Sequence, residues 1–144
     1  MLKPKRETLY WQLPAWICGG VILTLTSLPD LQPPALGLKL EDKIYHLFVY
    51  FLLGLLIVRA CVRGRADHAR AGISAMLRIG IPLALIDELH QALIPGRFCD
   101  GFDALADLFG LLLAALIWHF AGRTLSRTDR SFYGRLGKYD ASPP

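Results

Sequence analysis

The stretch that decides the fold is Ile86 to Arg97, IDELHQALIPGR. It ends an apolar run, Ile73 to Pro95, that is long enough to cross a bilayer. Asp87, Glu88, His90 and Gln91 stand there in place of the Leu or Val of an ordinary spanning helix. Ionisable groups at such a depth are costly and, as a rule, functional. Ten Leu and Ile residues in the run each favour insertion by about 0.3 to 0.6 kcal/mol, whereas Arg78 and Asp87 each oppose it by about 2.5 to 3.5 kcal/mol at mid-helix. These nearly cancel, and Glu88 and His90 tip the balance against insertion, so the segment needs polar partners on neighbouring helices.

Three further apolar runs flank it. At 53% hydrophobic residues, 144 residues and a mean hydropathy of +0.39, the chain is richer in apolar side chains than a soluble domain, which has roughly 45 to 50%. The expected class is all-α: an integral membrane four-helix bundle over residues 1–121, with helices at about 11–28, 44–62, 73–95 and 102–121. A basic cytoplasmic tail over 122–144, loosely ordered and ending in Ser142-Pro143-Pro144, is expected beyond it. Lys3, Lys5 and Arg6 precede the first run and resemble the start of a signal peptide. No small-residue cleavage site follows, so this run reads as an uncleaved first span anchored by Tyr10, Trp11 and Trp16. Pro33, Pro34 and Gly37 place a loop before the second run, where Asp42 is the expected N-cap and Gly54 offers a point of close packing. Gly80 and Pro82 are expected to loosen the third run near Asp87. Cys18, Cys61 and Cys99 read as free thiols.

Four crossings put both termini on one side. Of the 16 Lys and Arg residues, only Lys39, Lys43 and Arg97 fall on the other side, and the positive-inside rule then makes the termini cytoplasmic. The basic connector from Arg59 to Arg70 is read as a topology signal, not as a nucleic-acid patch.

The outer half then holds the unusual residues, on three helices. Lys43, His46 and Tyr50 are spaced i, i+3 and i+7, Asp87 with Gln91 and Asp103 with Asp107 are spaced i and i+4, and Glu88 with Gln91 i and i+3. Each helix presents a polar stripe. Facing one another, the stripes would form a pocket open to the outside between the second, third and fourth helices. Lys43 and Arg97 could meet a phosphate or carboxylate there, or neutralise the acids; Asp103 and Asp107 could pair with those two cations. Crowded carboxyls such as Asp87 and Glu88 suit general acid or base work as well as helix-to-helix hydrogen bonding. His46 and His90 do not share an i, i+4 face and no Cys joins them, so no metal site is assigned, and His90 reads as an interface histidine. Arg78 is expected to snorkel.

Asp42-Lys43-x-x-His46, then Asp87-Glu88-x-x-Gln91 with Pro95 and Arg97, then Asp103-x-x-x-Asp107-x-x-Gly110 resemble the VanZ-like family of bacterial integral membrane proteins. The likeness covers the second to fourth helices and departs at Asp107, where the family usually carries Asn. It implies a multi-pass protein of the bacterial inner membrane and a tie to the cell envelope. Its namesake is associated with resistance to the glycopeptide teicoplanin, and the resemblance supplies no reaction.

The leading expectation is an outward-facing pocket that binds or acts on a polar or anionic cell-envelope molecule. Glu88, Asp87 and His46 are the catalytic candidates, and Lys43, Gln91, Arg97, Asp103 and Asp107 the ligand-binding ones. No cofactor is called for, and the partners are the lipid bilayer and that envelope ligand, with no nucleic acid. Two other classes stay open: a structural or partner-binding membrane subunit and, less favoured, an ion or proton pathway, against which Ile81, Leu83 and Leu85 and the run Leu111 to Leu113 close the inner half.

Overall fold

A computed structural model describes residues 3–29, 40–62 and 68–139, with side chains over 8–29, 40–62 and 68–121. The expected loop at 31–41 falls mostly outside the described residues, as do the middle of the basic connector and the last five residues. Four helices follow in order: α1 (Lys3–Thr26), α2 (Glu41–Val62), α3 (Ala69–Gln91) and α4 (Gly101–Tyr139). All four contain segments long and apolar enough to cross a membrane: Thr8–Thr26, Glu41–Val62, Ala69–Gln91 and Gly101–Ala121. The protein is all-α and multi-pass.

The distribution of side chains is that of a bundle in lipid. Ile86, Leu89, Phe109 and Leu112 are at least half exposed, while Asp107 is fully buried and Glu88 nearly so. Such an apolar exterior needs hydrocarbon around it. Inside, glycines set how closely the helices approach. A Cβ on Gly54 would lie 2.8 Å from Ala114 Cβ, and one on Gly80 would lie 2.8 Å from Leu111 Cδ2. At Gly110 the close neighbour is the main chain of α2: a Cβ there would collide with Leu47 O and lie 2.7 Å from Phe51 N. Small residues at contacts let backbones approach in the absence of a hydrophobic drive between helices. Leu111, Ala114, Val58 and Met76 fill the centre.

Several boundaries differ from the expected ones. Helix α3 stops at Gln91, four residues early, because Pro95 has no N–H for the Gln91 carbonyl, which accepts from Ile94 N at 3.0 Å instead. Gly96, with φ of 79°, then reverses the chain. Asp87 is therefore about one turn from the helix end, roughly 6 Å, about half the depth that a run to Pro95 implies. Helix α3 is continuous through Pro82, and Gly80 serves close packing on Leu111 where extra room was expected. Asp42 lies inside the first turn of α2 beside Glu41, where both carboxylates complement the helix dipole, and it is not the N-cap. Helix α4 runs on to Tyr139, so the backbone of the expected loose tail is helical for most of its length. Cys18, Cys61 and Cys99 are free.

Candidate functional site

The ends of α1 and α3 and the starts of α2 and α4 meet at the face opposite the termini, and the polar stripes converge there. Lys43 on α2 reaches α4: its Nζ donates to Asp100 Oδ2 at 2.5 Å and lies 2.7 Å from Asp103 Oδ1. That second contact is an ion pair without hydrogen-bond alignment. Asp42 Oδ2 lies 3.4 Å from the same ammonium. One turn below Lys43, His46 Nδ1 is 3.0 Å from Asp107 Oδ1, again joining α2 to α4. Tyr50, the third member of the stripe, donates from Oη to Asp87 Oδ2 at 3.3 Å and so joins α2 to α3.

Asp87 has a second partner that the spacing argument missed. Thr26, at the last position of α1, donates to Asp87 Oδ1 at 2.8 Å and brings the first helix into the layer. Glu88 Oε1 accepts a short hydrogen bond from the backbone N–H of Asp100. Gln91 Oε1 accepts from Arg97 Nη1 at 2.9 Å, while Arg97 Nε and Nη2 each lie 3.4 Å from carbonyls at and just beyond the end of α1, those of Leu28 and Leu25. The three expected stripes thus form one layer. Lys43, His46, Asp87, Glu88, Gln91, Asp103 and Asp107 all belong to it, with Arg97 on its rim. The expected pairing of Asp107 with Arg97 does not occur: Arg97 turns toward α1, and His46, one turn into α2, faces Asp107.

Asp100 was overlooked although its signal is local. It caps α4, accepting Phe102 N on Oδ1 at 2.9 Å and Asp103 N on its carbonyl at 2.9 Å, as an Asp before a helical run does. The Lys43 ammonium holds its carboxyl below the usual aspartate range.

Charge in the layer is lopsided. Six carboxylates, those of Asp42, Asp87, Glu88, Asp100, Asp103 and Asp107, surround Lys43 and Arg97. Lys43 already lies among three of the six. The ligand atoms of Asp42, His46 and Asp103 all lie within 4.8 Å of one another, a set that could hold a divalent cation. It contains one His and no Cys. The Lys43 ammonium balances two of those same acids.

Several polar atoms in the layer are buried with no hydrogen-bond partner among the described residues: Glu88 Oε2, Gln91 Nε2 and Asp107 Oδ2. Asp103 Oδ1, in its ion pair with Lys43, is a fourth; His90 Nδ1 is a fifth, and His90 faces away from the stripes toward α1. There α1, α2 and α3 enclose a largely apolar groove of about 550 Å³, with Tyr50, Asp87 and His90 along its wall. Between α2, α3 and α4 the helices pack closely at Gly54, Gly80 and Gly110.

Over 84 residues the chain is 36% identical to an uncharacterized protein, C11E3.10, of the fission yeast Schizosaccharomyces pombe, a match covering 58% of this chain. The chain spans about half the length of that relative, 50%. A fission-yeast match does not by itself mark the chain as bacterial. No solved structure matches. The family model described as VanZ/LLP1 matches residues 15–122, a stretch holding the second, third and fourth spans whole, the greater part of the first and every residue of the polar layer, and the chain belongs to that family.

Proposed function

We propose that the polar layer binds, and acts on, the polar or anionic head of a cell-envelope molecule at the outer face of a bacterial inner membrane. The outward orientation rests on the excess of Lys and Arg on the side of the termini. One observation carries the reading: Glu88 Oε2, Gln91 Nε2 and Asp107 Oδ2 are buried in a single layer without hydrogen-bond partners among the described residues. Each such atom costs about 1 to 3 kcal/mol, and a polar ligand would recover that cost.

The candidates divide by their partners. Asp87 is held by Thr26 and Tyr50, and His46 is held by Asp107, so both already have structural ties. Glu88 has one oxygen engaged by Asp100 and one without a partner, which makes it the group best suited to give or take a proton. Arg97 suits the anionic part of a head group, with Gln91 beside it. Lys43 is absorbed by its acids and would reach a ligand only by releasing one of them.

The test is expression of wild type, Glu88→Gln and Arg97→Ala in a bacterial host challenged with teicoplanin or scored for envelope integrity. Both variants should reach wild-type membrane levels and lose the phenotype; retention by both removes the reading. A second reading, polar glue in a structural subunit, is favoured by the ties Lys43 to Asp100, His46 to Asp107, Tyr50 to Asp87 and Thr26 to Asp87, which together link all four helices. Under it, replacing His46 and Asp107 together by Leu preserves the phenotype.

A further inference from the structure

We propose that the groove between α1, α2 and α3 holds the hydrocarbon chain of a single-chain amphiphile whose polar end lies at Asp87 and His90. This rests on the head-group reading above and gives it a substrate class: a molecule carried on a lipid chain.

Length is the first support. The groove wall runs from Gln12 to Leu23 on α1, Tyr50 to Cys61 on α2 and Ile79 to His90 on α3. Each stretch covers eleven helical rises, about 16 Å, close to one leaflet's share of a hydrocarbon core roughly 30 Å thick. Volume is the second. The groove offers about 550 Å³ along that length, room for an extended hydrocarbon chain.

Polarity is the third. Ile22, Leu53, Ile57 and Leu83 make most of the wall apolar, but at the end nearest the polar layer it includes Tyr50, Asp87 and His90. Tyr50 and Asp87 are hydrogen-bonded to each other and Asp87 also to Thr26, whereas His90 Nδ1 is buried with no hydrogen-bond partner among the described residues; a plain hydrocarbon would leave that nitrogen unmet, and a head group would not.

Two glycines supply the independent observation. Within the spans, Gly54, Gly72, Gly80 and Gly110 sit where a Cβ would press on a neighbouring helix. Gly19 and Gly20, both on the groove wall, have nothing within 4 Å of a Cβ position. A mid-helix glycine costs about 1 kcal/mol relative to alanine. Among the described residues nothing uses the space these two leave.

The experiment uses the full chain in phosphatidylcholine nanodiscs with two photoreactive probes, a lysophosphatidic acid and a monoacylglycerol, each with a diazirine near the chain end. After photolysis, labelled peptides are mapped. Label from at least one probe should concentrate on the groove walls, and Gly20→Leu, which fills the groove, should reduce it about tenfold. Leu112→Phe, on the lipid face of α4, should leave it unchanged. Label from both probes spread over the lipid-facing surface and insensitive to Gly20→Leu overturns the proposal, as does cross-linking of two copies through α1. Failure of the head-group reading has another signature: Glu88→Gln and Arg97→Ala retain the envelope phenotype while groove labelling and its loss in Gly20→Leu persist.

Discussion

The seam between α2 and α4 and the side of the bundle held by α1 are built on opposite plans. In the seam, Gly110 brings two main chains together, Leu111 and Ala114 fill what remains, and Lys43 and His46 reach across to acids. Along α1 only Ile22 and Thr26 are buried among the described residues, and two adjacent glycines face open space. Both sides use glycine, for contrary ends: in one it removes a clash, in the other it leaves a channel. Composition alone does not distinguish the two uses, and the neighbour at the Cβ position does.

The contrast can be broken most forcefully at Gly110. A methyl group there meets backbone and not a movable side chain, so Gly110→Ala should cost about 3 kcal/mol and lower the thermal midpoint of the detergent-solubilised protein by several degrees. An unchanged midpoint would mean the two helices are not in main-chain contact. Asp107 comes next. With no accessible surface and His46 on one oxygen, Asp107→Ala should cost about 2 kcal/mol by leaving the imidazole unpaired. Asp107→Asn, the residue the family usually carries, keeps an acceptor and should cost less than about 1 kcal/mol. Equal losses in the two variants would show that charge, and not the hydrogen bond, matters at that position.

On the other side the sign reverses. Gly20→Ala should be neutral or raise stability by about 0.4 to 1 kcal/mol, since the new methyl meets nothing and the helix gains propensity. A loss of more than about 1 kcal/mol would place a close neighbour beside α1 and erase the contrast. The smallest effect concerns the pair at the rim. Asp100 has a depressed carboxyl pKa, so its contribution is fully present above the ordinary aspartate value of 3.8 and is lost as the pH falls through its lower folded value. Stability profiles of wild type and Asp100→Asn should differ in slope only in that acid range. Identical slopes would show that the Lys43 pair has no weight.

The sequence made the layer legible because membrane insertion is strict: Asp87, Glu88 and Gln91 cannot sit in a span without partners, and the periods of three and four on α2 and α4 named them. Other features were less visible for identifiable reasons. Thr26 is an unremarkable hydroxyl at the end of an apolar run, and nothing local says that it meets Asp87. Asp100 carried a capping signal, but it lies outside the spans where polar residues stand out. Gly54 was readable as a packing point, whereas Gly19 and Gly20 carry the same letter and the opposite surroundings. The early stop of α3 was written in Pro95 and masked by the apolar Leu93 and Ile94 that precede it.

The contact at Gly110 also fixes where the molecule can yield. Two backbones that already touch have no rotamers to exchange, so nothing can be admitted between α2 and α4 at that level without parting whole helices, whereas the groove beside α1 is already open.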